Sequence, residues 1–449
     1  MLYRVHNNIF IIGLLTLGFL VLMSSGRAFC AITPVTVLAF ITQVSLLILF
    51  SKEENAHFSE KELFLTVLLY SVLLGGLIIV ESYFFYGGEK FLFEDPDAVL
   101  YYKEGMRTVD IGSIENAKRI VMNFGFDDWG ALLFSNFVLS LIPSFFFMNA
   151  IHMLVGSISS VMLYRIGKYI MPDAYAYMAA LAYGTSSYLI LFHCTYLKES
   201  LFTFFVIGAL YFFYKSIAEG KHNALWGMLV FVAIIVFYRP PLIAFLLVSF
   251  IAYYAITQRG KALSVFLYGI VVVGLVVSMA FLQSQMDRYT EGGDDDVMLA
   301  ENGSDNYSGG FNYFVGWFVS LFGPFPTLFP LKSVGPVTMI FYGAGLTYKT
   351  FMVIPLWTGV YYAIKRFEVL TIPMGVFVLV EMMAVGYVMA SFELRKVMLH
   401  IPFTYILSFY GLYQLGKSDL SKPYKHFLEY AGYVLAIGIL ILWNVIRVK

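Results

Sequence analysis

The stretch FLFEDPDAVLYYKEG (Phe91–Gly105) places four carboxylates in a chain that is otherwise strongly apolar. It follows LFLTVLLYSVLLGGLIIVES (Leu63–Ser82), which as a helix would cross the roughly 30 Å hydrocarbon core of a bilayer. A polar segment close after such a run indicates a loop at the membrane surface. Together the two stretches predict a helical membrane protein that carries chemical groups beside the bilayer.

The composition of the whole chain agrees with this prediction. Its 449 residues are 60% hydrophobic and 13% charged, whereas soluble domains carry about 25% charged residues. The mean hydropathy is +0.78. The formal net charge is zero, so no basic surface indicates nucleic acid as a partner. We predict an all-α, polytopic transmembrane bundle of about 11–14 spans, with interfacial helices in its first long outer loop.

Apolar runs of spanning length recur from one end of the chain to the other. We predict spans near residues 8–24, 31–50, 63–82, 149–170, 174–193, 198–214, 224–238, 241–256, 263–283, 340–364, 369–390, 397–415 and 427–446. Alternate short connections each hold two or three Lys or Arg residues. Because such residues favour the cytoplasmic side, we predict a cytoplasmic N-terminus. The long loops 83–148 and 284–339 then face outward.

Both long loops contain segments that we expect to lie in the membrane interface. Ser113–Phe124 has an amphipathic helical period and a capping-box-like start with Ser113 and Asn116. Trp129–Phe147 is apolar enough to cross, but a crossing there would invert the Lys and Arg pattern of every later loop. We therefore predict an interfacial or re-entrant helix at Trp129–Phe147, and similarly an interfacial segment at Phe314–Pro336.

The acids of EDPDAVLYY (Glu94–Tyr102) are the first candidates for chemistry. Asp95 and Asp97 stand before a predicted helix, so solvated loop charge or a helix cap are the structural alternatives. A carboxylate at the membrane boundary is partly desolvated, which suits a general base. Tyr101 lies four residues after Asp97 and Gly105 four residues further, so the three share one helix face.

Charged residues recur at three later connections on the same predicted outer side. They are His193, Lys198 and Glu199 in Phe192–Phe205, Arg239 in Phe237–Leu242, and Glu393, Arg395 and Lys396 in Ser391–Pro402. A solvated hairpin tip and interfacial arginines that snorkel toward water are the structural alternatives. A guanidinium also binds phosphate through two hydrogen bonds. Carboxylates beside such cations suit a reaction on a phosphate-linked lipid.

The order of these features resembles the GT-C superfamily of integral membrane glycosyltransferases, near the protein O-mannosyltransferase and aminoarabinose transferase branch. In that family a span leads into an outer loop that opens with an acidic motif, D-x-x-x-Y-x-x-x-small. Asp97, Tyr101 and Gly105 are similar to that motif. The later matches are the basic inner turn that ends Leu154–Ile170, the outer acid in Thr195–Phe205, the turn Tyr238–Pro240, and Arg395 shortly before Pro402.

The resemblance implies a specific reaction. A polyprenyl-phosphate-linked sugar would be the donor, and an outer-loop acid would deprotonate the acceptor hydroxyl, which attacks and inverts the anomeric carbon. By the resemblance Asp97 is the base, with Asp95 as the alternative. The remaining assigned residues are Arg239, Arg395 and Lys396 for the lipid phosphate, and Glu199, Lys198, Tyr101 and His193 around the substrate. A divalent metal held by Glu94, Asp95 and Asp97 stays an open alternative.

The resemblance also organises the chain. Residues 1–62 would form two additional N-terminal spans, 63–283 the GT-C-like module, 284–339 the second outer loop and 340–449 the C-terminal spans. The expected acceptor is a glycan, lipid or protein, and the expected location is a bacterial inner membrane with the site facing outward. A polymerase or ligase of lipid-linked oligosaccharides and a polysaccharide or lipid transporter remain alternatives.

Overall fold

The computed structural model describes residues 1–23, 34–51, 58–85, 96–126, 128–194, 196–257, 345–388 and 396–448. The regular structure of these ranges is entirely helical. The helices are α1 Leu2–Met23, α2 Pro34–Ser51, α3 Glu60–Phe85, α4 Pro96–Met106, α5 Thr108–Ile111, α6 Ser113–Asn123, α7 Trp129–Leu141, α8 Phe145–Lys168, α9 Asp173–Gly184, α10 Ser187–Cys194, α11 Lys198–Glu219, α12 Ala224–Val236, α13 Pro241–Thr257, α14 Val353–Lys365, α15 Ile372–Val388, α16 Ile401–Lys417 and α17 Lys422–Val448. The expected all-α membrane bundle is confirmed.

Three described helical segments are long and apolar enough to cross a membrane. They are Phe145–Lys168, Lys198–Glu219 and Lys422–Leu442. Shorter apolar helices accompany them, including α12 and α13. The predicted span 263–283 and the second outer loop 284–339, with its segment Phe314–Pro336, lie outside the described residues.

The predicted span over residues 174–193 differs from the structure. The run 174–193 forms two helices, α9 and α10, with Thr185 and Ser186 between them. The Thr185 hydroxyl donates to the carbonyl of Leu181 at 2.7 Å. Short hydroxyl side chains compete with the backbone ladder in this way, and they favour helix ends over helix interiors. Because the break is fully buried, its polar groups are satisfied within the protein.

The first outer loop folds into a cluster of helices, α4 to α7, as its amphipathic pattern predicts. The predicted single helix over Trp129–Phe147 is wrong in its extent, because α7 ends at Leu141 and α8 begins at Phe145. Pro143 lies in the break between them, where it removes a backbone donor and restricts the preceding residue. The hydroxyl of Ser144 then caps α8 by accepting from the amide of Phe147.

The predicted capping box at the start of α6 is also wrong. Gly112 occupies the cap position, with a left-handed φ of 85° and no side-chain cap bond. Asn116 is instead fully buried and donates to the carbonyl of Glu104 at 2.7 Å and to the Asn136 side chain at 2.9 Å. Asn116 therefore connects α4, α6 and α7, because tertiary packing offers its amide stronger partners than the local backbone.

Helix α4 lies close against α7 at Gly105, the small residue of the acidic motif. A Cβ at Gly105 would meet Leu139 Cδ1 at 2.8 Å and the backbone carbon of Ser135 at 3.0 Å. Real Cβ atoms keep larger separations in close-packed interiors. The spacing of Asp97, Tyr101 and Gly105 thus puts the small residue at a helix contact, which holds the two polar residues of the same face in place.

Candidate active site

The acidic stretch of the first outer loop becomes the start of α4. Pro96 is its first residue and Asp97 lies in its first turn, where proline geometry and a negative charge both stabilise a helix N-terminus. Asp97 is half-buried, whereas Tyr101 is only 2% exposed. One face of the helix therefore carries both groups. The Asp97 carboxylate is partly open to its surroundings, and the Tyr101 phenol is enclosed.

The Tyr101 hydroxyl points to an acid that the sequence did not single out. It donates to Asp128 Oδ1 at 3.2 Å, and Lys198 Nζ donates to the same oxygen at 2.5 Å. The Asp128 side chain is 32% exposed and that of Lys198 is 14% exposed. One carboxylate oxygen thus links α4, the residue before α7 and the first residue of α11.

Three carboxylates act electrostatically on Tyr101. Burial is the largest cause that raises the pKa of the Tyr101 phenol far above its ordinary value, and the charges of Asp128, Asp97 and Glu199 raise it further. Each cause disfavours the phenolate. Tyr101 therefore stays a neutral hydrogen-bond donor. Three carboxylates from three separate segments act on its phenol.

Glu199 enters this region from the first turn of α11, with 2% of its surface exposed. Arg239 approaches the same helix from the turn between α12 and α13, and its guanidinium carbon lies 5.4 Å from the ring centroid of Phe202. Phe202 is three residues after Glu199, so both lie on adjacent turns of one face. Such a cation over an aromatic face is held in place by the ring's negative potential.

The start of α7 is joined to the turn that carries Arg239. The amide of Gly130 donates to the carbonyl of Phe237 at 2.7 Å. A side chain at Gly130 would overlap the buried ring of Tyr238. Asp128 precedes Gly130 by two residues and Arg239 follows Phe237 by two. The structure thus brings the acid-bearing loop and the arginine turn together at one end of α11.

His193, also assigned to the site by the sequence, lies in the packed interior. Its imidazole is 4% exposed and rests against Gly156 of α8, where a Cβ would overlap it. A second buried imidazole, His152, shares a 2.8 Å hydrogen bond with Ser200, the residue after Glu199. The two histidines therefore line the core beside the first turn of α11.

Four assigned residues cannot be placed fully. Glu94, Asp95 and Arg395 lie outside the described residues. Lys396 begins a short 3-10 helix, Lys396–Leu399, which packs against α11, α15 and α16, but its side chain is outside the described part. Within the ranges that the structure describes, no three His, Cys, Asp or Glu residues are grouped closely enough to hold a metal. The metal alternative with Glu94 and Asp95 therefore stays a prediction.

Asp128 carried a signal in the sequence, although an ambiguous one. An acid directly before an apolar helix is typical of a helix cap. Because capping explains the residue, the sequence gives no reason to assign Asp128 another role. In the structure Asp128 has helical backbone angles and makes no side-chain cap bond. Its carboxylate instead accepts hydrogen bonds from Tyr101 and Lys198. These partners become visible only in the folded chain.

A phosphate-loop spacing also occurs in the chain, in GLYQLGKS (Gly411–Ser418). Such loops need glycines in an open turn before a helix, so that backbone amides can face the phosphates. Here Gly411–Lys417 continues α16, and Gly411 is packed against the backbone of Pro355. The spacing is therefore a chance match in a helix and does not form a nucleotide site.

Comparison with known proteins supports the resemblance drawn from the motifs. The model of the dolichyl-phosphate-mannose-protein mannosyltransferase family matches residues 130–283. The matched range begins two residues after Asp128 and contains Lys198, Glu199 and Arg239, whereas Asp97 and Tyr101 precede it. No curated protein matches the sequence. The predicted relation to GT-C-type glycosyltransferases is confirmed by this family match.

Proposed function

We propose that this chain is a membrane glycosyltransferase of the GT-C type, which moves a sugar from a polyprenyl-phosphate donor to an acceptor hydroxyl on the extracytoplasmic side. The acceptor would be a glycan, lipid or protein of the cell envelope, and the membrane a bacterial inner membrane. The observation that carries the proposal is the bridge from Tyr101 through Asp128 to Lys198, with Asp97 and Glu199 close enough to act on the same phenol.

The reaction needs a base for the acceptor and cations for the leaving group. In our proposal Asp97 takes the proton of the acceptor hydroxyl, and the oxygen forms its bond to the anomeric carbon. The bond from that carbon to the phosphate oxygen breaks at the same time, so the polyprenyl phosphate departs with its negative charge. Arg239 stabilises that charge, because a fixed cation gains most where charge develops. Arg395 and Lys396 remain proposed partners in this role.

We assign positioning roles to the other members of the cluster. Oδ1 of Asp128 already accepts from both Tyr101 and Lys198, so we assign this acid to positioning and not to proton transfer. Asp128 orients the Lys198 ammonium, and Tyr101 holds Asp128 from the opposite side. Glu199 places one further negative charge beside these groups, where it can order the cations or accept from sugar hydroxyls.

The location of the cluster supports an outward-facing site. Asp97, Asp128, Lys198 and Arg239 all come from connections that the Lys and Arg distribution assigns to the outer side. The other ends of α8 and α11 carry the basic residues Arg165, Lys168 and Lys215. A donor whose phosphate lies at the outer interface would therefore meet the cluster without crossing the bilayer.

Substitution of the proposed base tests this function. Transfer of radiolabelled sugar from the polyprenyl-phosphate pool of native membranes into envelope material is measured with Asp97→Asn and with wild type. We expect Asp97→Asn to lower the rate about 10²–10⁴-fold, which is the usual contribution of a general base. The matched control is Asp110→Asn, an exposed acid of the same loop in α5. Wild-type rates in both Asp97→Asn and Asp95→Asn would refute the base assignment.

A further inference from the structure

A second polar region lies at the ends of α8 and α11 that are opposite to the proposed catalytic cluster. Lys198 begins α11 and Lys215 lies near its end. At 1.5 Å per residue the two are separated by about 25 Å along the helix. Arg165 and Lys168 lie in the last turn of α8 at that same end. This region is therefore about a hydrocarbon thickness away from the proposed catalytic cluster.

The helix ends border an open cavity of about 360 Å³. Its charged lining consists of the cations Arg165, Lys168, Lys215 and Lys221 and the carboxylates Glu60 and Glu219. With four cations and two carboxylates, the lining has a net charge of two positive. A concave site with excess positive charge favours an anionic ligand, because the focused field raises the local anion concentration.

The two carboxylates are already engaged by part of this positive charge. Arg165 donates to both oxygens of Glu60, at 2.6 and 3.0 Å. Glu219 accepts from the Tyr169 hydroxyl at 2.5 Å and pairs with Lys221 at 2.7 Å. The pairs leave Lys168 and Lys215 as the excess cations of the lining.

Of the two excess cations, Lys215 is the one more available to a ligand. Its ammonium lies 5.8 Å from the ring centroid of Tyr211. Among the described residues, no carboxylate lies within ion-pair distance of that ammonium. Lys168 reaches Glu60 only at 3.5 Å, and its side chain is 36% exposed. Both ammonium groups can therefore donate to a ligand without giving up a tight internal partner.

We infer that this cavity binds a phosphate-bearing anion at the predicted cytoplasmic face. The headgroup of an anionic phospholipid and free phosphate are the two sources of that chemistry. Basic cavities between membrane helices on the cytoplasmic side suit lipid phosphates, and each lysine or arginine near an anionic surface contributes about fivefold to affinity. Tyr169 and Tyr211 also line the cavity, as expected of aromatic residues at the headgroup level.

Binding to the purified full-length protein in neutral detergent tests the inference. Native mass spectrometry measures retention of phosphatidylglycerol and of phosphatidylcholine, each with and without millimolar inorganic phosphate. We expect preferential retention of the anionic species and an affinity about fivefold lower in Lys215→Gln. Lys168→Gln should show a similar loss, which provides a second variant if the first folds poorly. Thermal unfolding of each variant verifies that it is folded.

The matched control is Lys365→Gln. Lys365 ends α14 on the same predicted side, and its ammonium lies 5.3 Å from the Tyr361 ring centroid, but it does not line the cavity. The affinity of Lys365→Gln for phosphatidylglycerol should equal that of wild type. Competition by inorganic phosphate identifies free phosphate as a ligand, and phosphatidylglycerol retention that resists it identifies the lipid. Equal retention of both lipids with no effect of phosphate, or equal losses in Lys215→Gln and Lys365→Gln, would overturn the inference.

Discussion

Lys198 and Asp128 are 70 positions apart in the sequence, yet Lys198 Nζ donates to Asp128 Oδ1 at 2.5 Å. The contact joins the first residue of an apolar helix of spanning length, α11, to the loop residue that precedes α7. Tyr101 adds α4 to the same oxygen. A charged contact within the proposed site therefore helps to position the loop helices against the bundle.

We predict measurable energetic coupling between Lys198 and Asp128. Lys198→Gln, Asp128→Asn and the double variant form a cycle, in which each single change removes the same charge-assisted bond. For a pair with side chains 14% and 32% exposed, we expect a coupling free energy of about 1 kcal/mol in unfolding and a larger one in transfer rate. The measurement is chemical or thermal unfolding beside the sugar-transfer assay. Strictly additive losses would show that the two residues act independently.

The buried phenol of Tyr101 predicts a pH dependence of stability. Its pKa in the folded protein is raised far above 10.0, mainly by burial. Above about pH 10 the unfolded chain releases this proton while the folded chain keeps it, so stability falls as the pH rises. Tyr101→Phe removes this loss. The free energy of unfolding of Tyr101→Phe relative to wild type should therefore increase between pH 8 and pH 11.

Tyr424→Phe provides the comparison for that pH series, because Tyr424 is 49% exposed. It shows how much the loss of an exposed phenol alone changes the free energy of unfolding over the same range. A Tyr101→Phe difference from wild type that does not change with pH would contradict the enclosed surroundings of this phenol.

A methyl group at Gly130 should separate the loop helices from the arginine turn. The added Cβ would overlap the ring of Tyr238, which is only 3% exposed and cannot move into open space. We expect Gly130→Ala to lower the free energy of unfolding by about 1–3 kcal/mol, as overpacking does, and to lower the transfer rate through displacement of Arg239. Gly76→Ala is the control, since a Cβ there meets nothing within 4 Å. Equal behaviour of the two variants would argue against a tight contact at Gly130.

The buried amide of Asn116 should contribute to the stability of the outer loop. Removal of its two donated bonds in Asn116→Ala leaves the carbonyl of Glu104 and the Asn136 side chain without these partners. We expect a loss of about 1–3 kcal/mol in the free energy of unfolding, because buried acceptors are costly to leave unsatisfied. Asn123→Ala changes an exposed residue of the same helix and should be nearly neutral. Faster hydrogen exchange in α4 and α6 would accompany the Asn116 effect.

Local patterns predicted most of the helices. The apolar runs at 198–214, 224–238 and 241–256 correspond to α11, α12 and α13, because a spanning run can satisfy its backbone groups only within a helix. The break at Thr185 was missed, since a short hydroxyl residue is compatible with a helix interior and with a helix end alike. The buried side-chain bonds of Asn116 were missed as well, because its partners lie at Glu104 and Asn136 in other helices.

Composition and the period of apolar residues were sufficient to establish a helical membrane chain with an acidic loop after its third apolar run, since both properties are local to the sequence. Local sequence could not predict which side chains cluster in the site. Asp128 could have been a helix cap, and Lys198 a solvated hairpin tip, until the fold placed them on one oxygen. Close approach of α4 at Gly105 and of α7 at Gly130 sets that geometry. Contacts between distant residues form only when packed helices exclude water between them, so the tertiary structure alone decided which acids share the site.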